Sequence, residues 1–290
     1  MTFPAAEVAT ALGRRPVRRQ RVAGSGYGTN TSRWRAELER GGSAFVKLAL
    51  DALAAEWLRR EHHVYASVRA PFLPKLLGWH DDGVTLLAIE DLSGAHWPPP
   101  WPDGAVAAVL TTLRDVHATA PPPKLDSLED DRESLDGWPL VAADPRPFLS
   151  LGLVSAGWLD ASLPTLAAAA AACDLAGDSL LHLDVRSDNL CLRDGRVVLV
   201  DWNWASVGNP LVDVVAWLPS LRLEGGPEPW EIVSDSGGLA ALLAGFFTSR
   251  AGLPPPATAP RVRDIQRRQG EVALSWAARE LGLPGLDSSP

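Results

Sequence analysis

The sequence predicts an α+β fold in which a small, strand-rich N-terminal lobe precedes a larger, mainly helical C-terminal lobe. Apolar runs bounded by glycine turns dominate the chain up to residue 92, and segments with helical spacing dominate the rest. Between the two parts lies SGAHWPPPWPDG, a stretch rich in Pro, Gly and Trp. We therefore expect two lobes, at residues 1–92 and 93–290.

The N-terminal elements follow from local patterns. GGSAFVKLAL at 41–50 and VTLLAIEDL at 84–92 predict strands, and the glycine-punctuated segment 22–38 predicts a turn between strands. DALAAEWLRREHHVYASV at 51–68 predicts a helix. Asp51 is its expected N-cap, because an aspartate side chain can accept hydrogen bonds from the free N–H groups of a first helical turn.

The C-terminal part is expected to be built from helices. Apolar residues recur there at the spacing of a helix with one buried face. The predicted helices lie at 103–120, 145–176, 211–221, 238–250 and 260–282. We expect the second of them to break at Pro164, because proline removes a backbone donor.

The composition excludes several classes of protein. The 290 residues carry a formal charge of −8, whereas a nucleic-acid-binding domain usually has a basic face. No apolar run reaches the roughly 18 residues that a membrane-spanning helix needs. The two cysteines, Cys173 and Cys191, have neither metal-binding nor redox spacing. We therefore expect a cytoplasmic protein that binds neither nucleic acid nor membrane.

One hairpin carries the polar residues that point to a function. In LLHLDVRSDNLCLRDGRVVLVDWNW, residues 180–204, the Asp-Gly pair at 194–195 predicts a two-residue turn between apolar strands. Residues that face each other across such a turn have numbers with the same sum as 194 and 195. Asp188 should therefore face Asp201, which places Asn189 one step from Asp201 across the two strands. Two oxygen-bearing side chains at one end of a hairpin suit Mg²⁺, which proteins hold by one or two oxygen ligands plus substrate phosphates.

Asp184 lies on the loop that enters this hairpin. A carboxylate there could face the cation site without ligating it and accept a proton from an attacking hydroxyl. Capping of a turn would explain one aspartate alone, but it does not explain the whole set. The order His-x-Asp-x-x-x-x-Asn, with a further Asp after the next strand, is the phosphoryl-transfer constellation of the kinase fold.

The segments HLDVRSDN, VLVDWNW and NPLVDVVAW together resemble the aminoglycoside phosphotransferases and choline-kinase-like small-molecule kinases. That family has a bilobal, protein-kinase-like fold. The resemblance implies that Asp184 is the catalytic base and that Asn189 and Asp201 are Mg²⁺ ligands. It also implies that His182 braces the loop and that Asp213 pins it through hydrogen bonds.

Several positions depart from the protein-kinase pattern. Leu183 stands where protein kinases carry an arginine, and only a few residues separate Asp201 from Asp213. Because that spacing leaves no room for a protein-substrate activation segment, we expect a small-molecule kinase. Arg186, where protein kinases carry a lysine, is expected to contact the γ-phosphate. Asn203 replaces an acidic residue common in the family, which leaves open whether a second metal ion binds.

A kinase fold also needs a lysine on the third strand and a glutamate on the following helix. Lys47 lies within the apolar AFVKLAL, where an unpaired ammonium is costly to bury. The alternative is that it extends to solvent from an edge strand. The helix offers Glu56 on a polar face and Glu61 on an apolar stripe. That stripe also contains Leu53, Trp57, Val64 and Val68. We assign Glu61 as the partner of Lys47, because a carboxylate within an apolar stripe needs a counter-charge.

The resemblance further implies an ATP site. Gly26 and Gly28 of GSGYGTN would let backbone N–H groups approach phosphates. Backbone groups of Glu90 and Leu92, in LLAIEDLS, would bind adenine. ATP and Mg²⁺ are therefore the expected cofactors.

The acceptor is expected between the catalytic loop and the C-terminal helices. Aromatic faces suit sugar rings and cations, although packing in the core would also explain most of the tryptophans. Candidates to line the acceptor site are Trp202, Trp204, Trp217, Trp230, Trp276 and Glu271. The expected acceptor is an aminoglycoside, an amino sugar or an amino alcohol, and the expected assembly is a monomer or a homodimer. His117 is expected to be a packing residue only.

Two other functions stay open at this point. One is a nucleotide-binding pseudokinase with a regulatory role, against which the intact set of Lys47, Asp184, Asn189 and Asp201 argues. The other is a metal-dependent hydrolase in which His182 and Asp184 form a metal-binding pair. Such a site would need further ligands, and the remaining histidines all precede the hairpin without a ligand-like motif.

Overall fold

The computed structural model describes residues 3–23, 30–257 and 259–286. Within them, five antiparallel strands form an N-terminal sheet in the order β1-β2-β3-β5-β4. The strands are β1 (Pro16–Val22), β2 (Thr31–Leu38), β3 (Ser43–Ala49), β4 (Leu76–Asp82) and β5 (Val84–Glu90). The arginine-rich β1 is largely exposed, as suits a strand at the edge of a sheet.

Two helices pack against this sheet. The first, α1 (Ala5–Leu12), contacts β4 and β5. The second, α2 (Ala52–Ser67), begins after Asp51, whose side chain accepts a hydrogen bond from the Ala54 N–H at 2.8 Å. The helix and the N-cap predicted from the sequence are confirmed.

The buried face of α2 agrees with the predicted stripe at Glu61, Val64 and Val68 but not at its start. Leu53, expected on the buried side, is 60% exposed. Positions four and then three apart share one face of a helix. The residues that form the buried face are Ala54, Ala55, Leu58, Glu61, Val64 and Tyr65. Glu61 therefore belongs to the buried face, although Leu53 does not.

The C-terminal part is mainly helical and contains two small sheets. Its helices are α3 (Ala105–His117), α4 (Arg132–Leu135), α5 (Trp138–Ala143), α6 (Arg146–Leu149), α7 (Ala156–Ala172), α8 (Leu211–Leu223), α9 (Pro229–Ile232), α10 (Gly237–Ala251) and α11 (Val262–Glu280). One small sheet pairs β6 (Ser179–Leu181) with β9 (Ser206–Gly208), and the other pairs β7 (Leu190–Arg193) with β8 (Arg196–Leu199). This architecture confirms the predicted α+β fold class. None of the described helices has the length and apolarity needed to cross a membrane.

The predicted break within the helix at 145–176 is misplaced. The chain leaves helical conformation between α6 and α7, and α7 starts after the N-cap Ser155, which accepts from the Trp158 N–H. Pro164 lies inside α7 without ending it. A proline inside a helix removes one backbone hydrogen bond, and the packing of α7 on α10 offsets that loss.

One large apolar core joins residues from both parts of the chain. It includes Leu87 and Ile89 from β5 together with side chains from most of the C-terminal helices. Four tryptophans are fully buried, namely Trp138, Trp202, Trp217 and Trp276. Both cysteines are free thiols. The shared core fixes the sheet relative to the hairpin that carries the polar residues.

Candidate active site

The β7–β8 hairpin has the register that the sequence predicts. Leu190 pairs with Leu199 and Arg193 with Arg196, so residues 194–195 form a two-residue turn. Both turn residues have positive φ, 52° at Asp194 and 76° at Gly195. A type I′ turn, which is common in two-residue hairpins, requires this at both positions. At the open end, the Val200 N–H donates to the Asn189 carbonyl at 2.8 Å. The pairing thus carries Asn189 and the strand leading to Asp201 to the same end of the hairpin.

Asp213 holds the loop that precedes the hairpin. Its carboxylate, fully buried, accepts from the backbone N–H of His182 at 2.9 Å and of Leu183 at 2.7 Å. Leu183 has φ of 62°, a backbone conformation that a non-glycine residue keeps only when its surroundings enforce it. The Asp213 carboxylate supplies that constraint.

Each nitrogen of the His182 ring forms a hydrogen bond with a backbone group. Nε2 lies 2.9 Å from the Val200 carbonyl oxygen, and the Asp184 N–H donates to Nδ1 at 3.2 Å. The side chain is fully buried. With both ring nitrogens bonded, His182 positions the backbone of Asp184 and has no free nitrogen for a metal ion. This argues against the hydrolase hypothesis, and the described residues hold no group of three or more His, Cys, Asp or Glu suited to a metal.

His117 does more than pack. Its Nε2 lies 3.1 Å from Oδ2 of Asp213, so the last turn of α3 braces the residue that holds the loop. This hydrogen bond adds to the packing role that the sequence predicts for His117. The two residues lie 96 positions apart, and no local sequence signal connects them.

Asp184 sits at the centre of the polar cluster. Its Oδ2 accepts from the Asn189 side-chain amide at 2.7 Å, and its Oδ1 lies 3.4 Å from Nε of Arg186. Burial raises the pKa of the Asp184 carboxyl above its ordinary value, and the Arg186 charge opposes that rise only in part. Arg186 also bonds Asp188, so its guanidinium is shared between two carboxylates.

Lys47 links the sheet to Asp201. Its ammonium lies 2.8 Å from both carboxylate oxygens of Glu61 and 2.9 Å from Oδ1 of Asp201. Glu61 Oε1 also accepts from the Tyr65 hydroxyl at 2.8 Å and from the Asp201 N–H at 3.2 Å. Sequence reasoning missed Tyr65, although its place four residues after Glu61 puts it on the same helical face.

The charges in this cluster keep Lys47 and Asp201 ionised. Burial lowers the pKa of Lys47, but the Asp201 and Glu61 carboxylates outweigh it and the net shift is upward. Burial raises the pKa of Asp201, but Lys47 outweighs it and the net shift is downward. The result is an ammonium held between two carboxylates.

Asn189 and Asp201 fit a divalent cation by their donor chemistry. The Asn189 amide nitrogen donates to the side chain and the carbonyl of Asp184, which leaves its amide oxygen for another partner. Asp201 has φ of 69°, again an enforced conformation, and its carboxylate is partly accessible. An amide oxygen and a carboxylate oxygen are hard ligands of the kind that Mg²⁺ prefers.

A cavity of about 620 Å³ lies between the sheet and the hairpin. Apolar side chains line one part of it, namely Phe45, Ile89, Leu92 and Val200. Charged and polar side chains line another part, namely Lys47, Asp184, Arg186, Asn189 and Asp201. A cavity lined by apolar residues in one part, the apolar slot, and by charged and polar residues in another has the chemistry to hold the base and the phosphates of a nucleotide. Gly26 and Gly28 lie outside the described residues.

The end of β5 and the residues that follow it border the apolar slot. Glu90 and Leu92 both line the cavity, and the Leu92 carbonyl accepts from the Trp97 indole at 3.1 Å. Between them, Asp91 accepts from Nε of Arg35 at 2.6 Å and from the Ser43 hydroxyl. Burial raises the pKa of Asp91, but these hydrogen bonds outweigh it and hold the pKa at about 2. Sequence reasoning did not single out Asp91, whose partners come from β2 and β3.

Of the tryptophans expected to line an acceptor site, Trp204 lines the cavity and the others do not. Trp204 lines the cavity, is 49% exposed, and stands 4.8 Å from the ring of Trp57 on α2. Trp202, Trp217 and Trp276 are 0% exposed. They pack in the core and therefore do not line an acceptor site. Trp230 and Glu271 are not among the residues that line the cavity. Trp230 instead contacts Arg279.

Comparison with known proteins places the chain in a family. The model of the phosphotransferase enzyme family matches residues 21–251, and no curated protein sequence matches the chain. A choline/ethanolamine kinase family protein from Mesorhizobium loti superposes with a TM-score of 0.58 at 16% identity, covering 91% of each chain. A macrolide 2′-phosphotransferase type I superposes with a TM-score of 0.53 at 19% identity, covering 96% of this chain and 91% of that one.

A third structure of similar fold contains bound ligands. It is the amicoumacin kinase hAmiN in complex with AMP-PNP, Ca²⁺ and Ami, with a TM-score of 0.51 at 12% identity, covering 92% of this chain and 91% of that chain. At such low identities the structures establish the fold. The family model matches well over half of the chain. Together with the kinase-like architecture, it identifies this protein as a small-molecule phosphotransferase that belongs to the phosphotransferase enzyme family.

Proposed function

We propose that this enzyme transfers the γ-phosphoryl group of ATP, with Mg²⁺, to a hydroxyl of a small molecule that carries an amine, namely an aminoglycoside, an amino sugar or an amino alcohol. The observation that carries the proposal is the convergence of Asp184, Asn189, Asp201 and Lys47 on one cavity. The nucleotide would bind between the lobes at 1–92 and 93–290. The AMP-PNP and Ca²⁺ in the amicoumacin kinase structure support a nucleotide and a divalent cation in this fold.

In the proposed reaction the acceptor oxygen forms a bond to the γ-phosphorus, and the bond from that phosphorus to the β–γ bridging oxygen breaks. ADP leaves with the electron pair of that bond. Asp184 accepts the hydroxyl proton, and its hydrogen bond from Asn189 fixes the direction of the carboxylate. When bound to Asn189 and Asp201, Mg²⁺ neutralises phosphate charge. Positioning and electrostatic stabilisation supply most of the catalysis.

Acidic side chains near Asp184 support an acceptor that carries an amine. Asp188 lines the cavity two residues beyond Arg186. Behind it, Glu224 at the end of α8 accepts hydrogen bonds from Ser187 and from the Trp101 indole. Burial raises the pKa of Glu224, and an ammonium group nearby would offset that cost. The partly exposed Trp204 offers an aromatic face for a sugar ring or a cation.

The test is acceptor-dependent release of ADP. Wild type, Asp184→Asn and Asp194→Asn are incubated with ATP, Mg²⁺ and a panel of aminoglycosides, amino sugars, amino alcohols and neutral alcohols. Asp194 is a matched control, because it lies on the same hairpin but is exposed at the turn, where asparagine also adopts positive φ. Mg-ATP binding to each variant is measured by calorimetry.

We expect turnover with an amine-bearing acceptor that falls by about 10²–10⁴-fold in Asp184→Asn, the usual contribution of a general base. Asp194→Asn should match wild type, and both variants should still bind Mg-ATP. Turnover that is equal in Asp184→Asn and wild type would remove Asp184 as the base. Mg-ATP binding without turnover on any acceptor would favour the pseudokinase, and a lack of Mg-ATP binding would contradict the proposal as a whole.

A further inference from the structure

The middle of β2 places an arginine beside Lys47 on the cavity side of the sheet. In the β2–β3 pairing Arg33 stands opposite Lys47, and Arg35 stands opposite Phe45. Residues directly opposite each other in an antiparallel pair project from the same face. All four side chains line the cavity. Arg33 therefore borders the polar part of the cavity and Arg35 borders the apolar slot.

The other cations that line the cavity are already engaged by carboxylates. Lys47 is held by Glu61 and Asp201, and Arg186 by Asp184 and Asp188. Arg35 bonds Asp91 at 2.6 Å. Among the described residues, Arg33 has no carboxylate within ion-pair distance. Its guanidinium is the cation on the sheet side of the cavity that is left to meet an incoming anion.

The charge balance at the polar end calls for such a cation. Four carboxyl groups lie there, those of Glu61, Asp201, Asp184 and Asp188, against only two cationic groups, those of Lys47 and Arg186. A triphosphate adds more negative charge, which a bound divalent cation offsets only in part. A guanidinium is well suited to bind phosphate oxygens in pairs.

We propose that Arg33 is a nucleotide-binding residue that contacts the phosphate chain beyond the α-phosphate. This assignment rests on the proposed use of ATP. With this assignment the proposed phosphate site has a second cation from the sheet, Arg33 on β2, beside Lys47 on β3. Arg33 would thereby distinguish nucleotides by the number of phosphates they carry, whereas Arg35, tied to Asp91 beside the apolar slot, would not.

The experiment measures binding of AMP, ADP and ATP, each with Mg²⁺, to the full chain by calorimetry. The variants are Arg33→Gln, Arg33→Lys and Arg18→Gln. Arg18 is the matched control, because it is an exposed arginine on the neighbouring strand β1 that does not line the cavity. Removal of its charge tests whether a general loss of positive charge on the sheet explains any effect.

We expect Arg33→Gln to weaken ATP and ADP binding by about tenfold or more, as for loss of a charge-assisted hydrogen bond, and to leave AMP binding within about twofold. Arg33→Lys should recover part of the affinity, and Arg18→Gln should match wild type. Equal weakening of all three nucleotides, or unchanged binding of all three, would overturn the assignment of Arg33. In either of those cases wild type still binds ATP, whereas failure of wild type to bind any nucleotide would contradict the proposed function itself.

Discussion

At the scale of single residues, the chemistry of the site depends on how each carboxylate is held. Asp184 accepts the Asn189 amide and faces Arg186 at 3.4 Å. Asp213 accepts two backbone N–H groups and contacts His117. The first is the proposed catalytic base, and burial raises its pKa above the ordinary value. The second has its oxygens occupied by donors, so it supports the loop.

The raised pKa of Asp184 predicts the pH dependence of turnover. The proposed base must be ionised to accept a proton, so kcat/KM should fall as the pH drops through the folded-state pKa. That fall should occur at a higher pH than the ordinary aspartate value of 3.8. The measurement is kcat/KM for the acceptor at saturating Mg-ATP against pH. An acid limb at or below 3.8 would show that the pKa of the base is not raised in the complex with Mg-ATP.

The raised pKa of Asp184 also predicts how stability depends on pH: turnover should fall as the pH drops, whereas the contribution of Asp184 to stability should fall as the pH rises. A carboxyl whose pKa is raised by folding binds its proton more readily in the folded state. Its stabilising contribution is therefore present at low pH and is lost as the pH rises through the folded-state pKa. Asp184→Asn carries no charge at any pH. It should melt above wild type at neutral pH, and the difference should shrink as the pH approaches 4. A constant difference across that range would show that the pKa of Asp184 is not raised.

At the scale of elements, α2 decides which glutamate completes the site. The buried face of the helix contains Ala54, Leu58, Glu61 and Tyr65. Glu56 lies on the other side, is largely exposed, and contacts Arg60 only at 3.7 Å. Because the strand β3 passes under the buried face, only Glu61 can reach Lys47. The two glutamates therefore form a matched pair for mutation.

Glu61→Gln should destabilise the protein by about 3 kcal/mol, because it leaves the buried ammonium of Lys47 with one carboxylate fewer. It should also weaken Mg-ATP binding, since Lys47 would lose its fixed position. Glu56→Gln removes the same charge from the exposed face and should change the free energy of unfolding by less than about 0.5 kcal/mol. Urea unfolding at neutral pH measures the free energy of unfolding of the two variants. Equal effects of the two substitutions would contradict the role of the helical face.

Local patterns in the sequence predict the features that depend on neighbouring residues. The Asp-Gly turn at 194–195 predicts the register of the hairpin, and Asp51 predicts the start of α2. The sequence pattern also favours Glu61 over Glu56. In each case the signal and the structure it predicts lie within one element or one turn, where backbone preference and periodicity act directly.

The features that sequence reasoning missed depend on contacts between distant elements. His117 reaches Asp213 across 96 positions, and Arg35 reaches Asp91 across 56. Tryptophans 202 and 204 flank one asparagine, yet one is buried and the other is 49% exposed. Which of them enters the core depends on how the 3₁₀ turn at 202–204 packs against α2. No periodicity in the sequence specifies that packing.

At the scale of the whole molecule, the N-terminal part of the chain meets the residues after β8 through several contacts beside the cavity, and two of them differ in kind. The Lys47 ammonium bonds Asp201 at 2.9 Å, and Trp57 on α2 meets Trp204 edge to face at 4.8 Å. The first contact is polar and lies where the phosphates of ATP are proposed to bind. The second is apolar, and Trp204 remains half exposed. An acceptor that reaches Asp184 from outside can therefore contact Trp204.

Trp204→Ala should accordingly raise KM for the acceptor by roughly five- to tenfold, because an aromatic contact contributes about 1 kcal/mol. The Kd of Mg-ATP should change little, since the nucleotide is proposed to occupy the apolar slot on the other side of the phosphate region. Trp230→Ala is the control, because Trp230 lies outside the cavity lining and contacts Arg279. Steady-state kinetics and calorimetry on the three proteins separate the two effects. If Trp204→Ala weakens Mg-ATP binding as much as it raises the acceptor KM, Trp204 acts by holding the two parts of the molecule together and does not contact the acceptor.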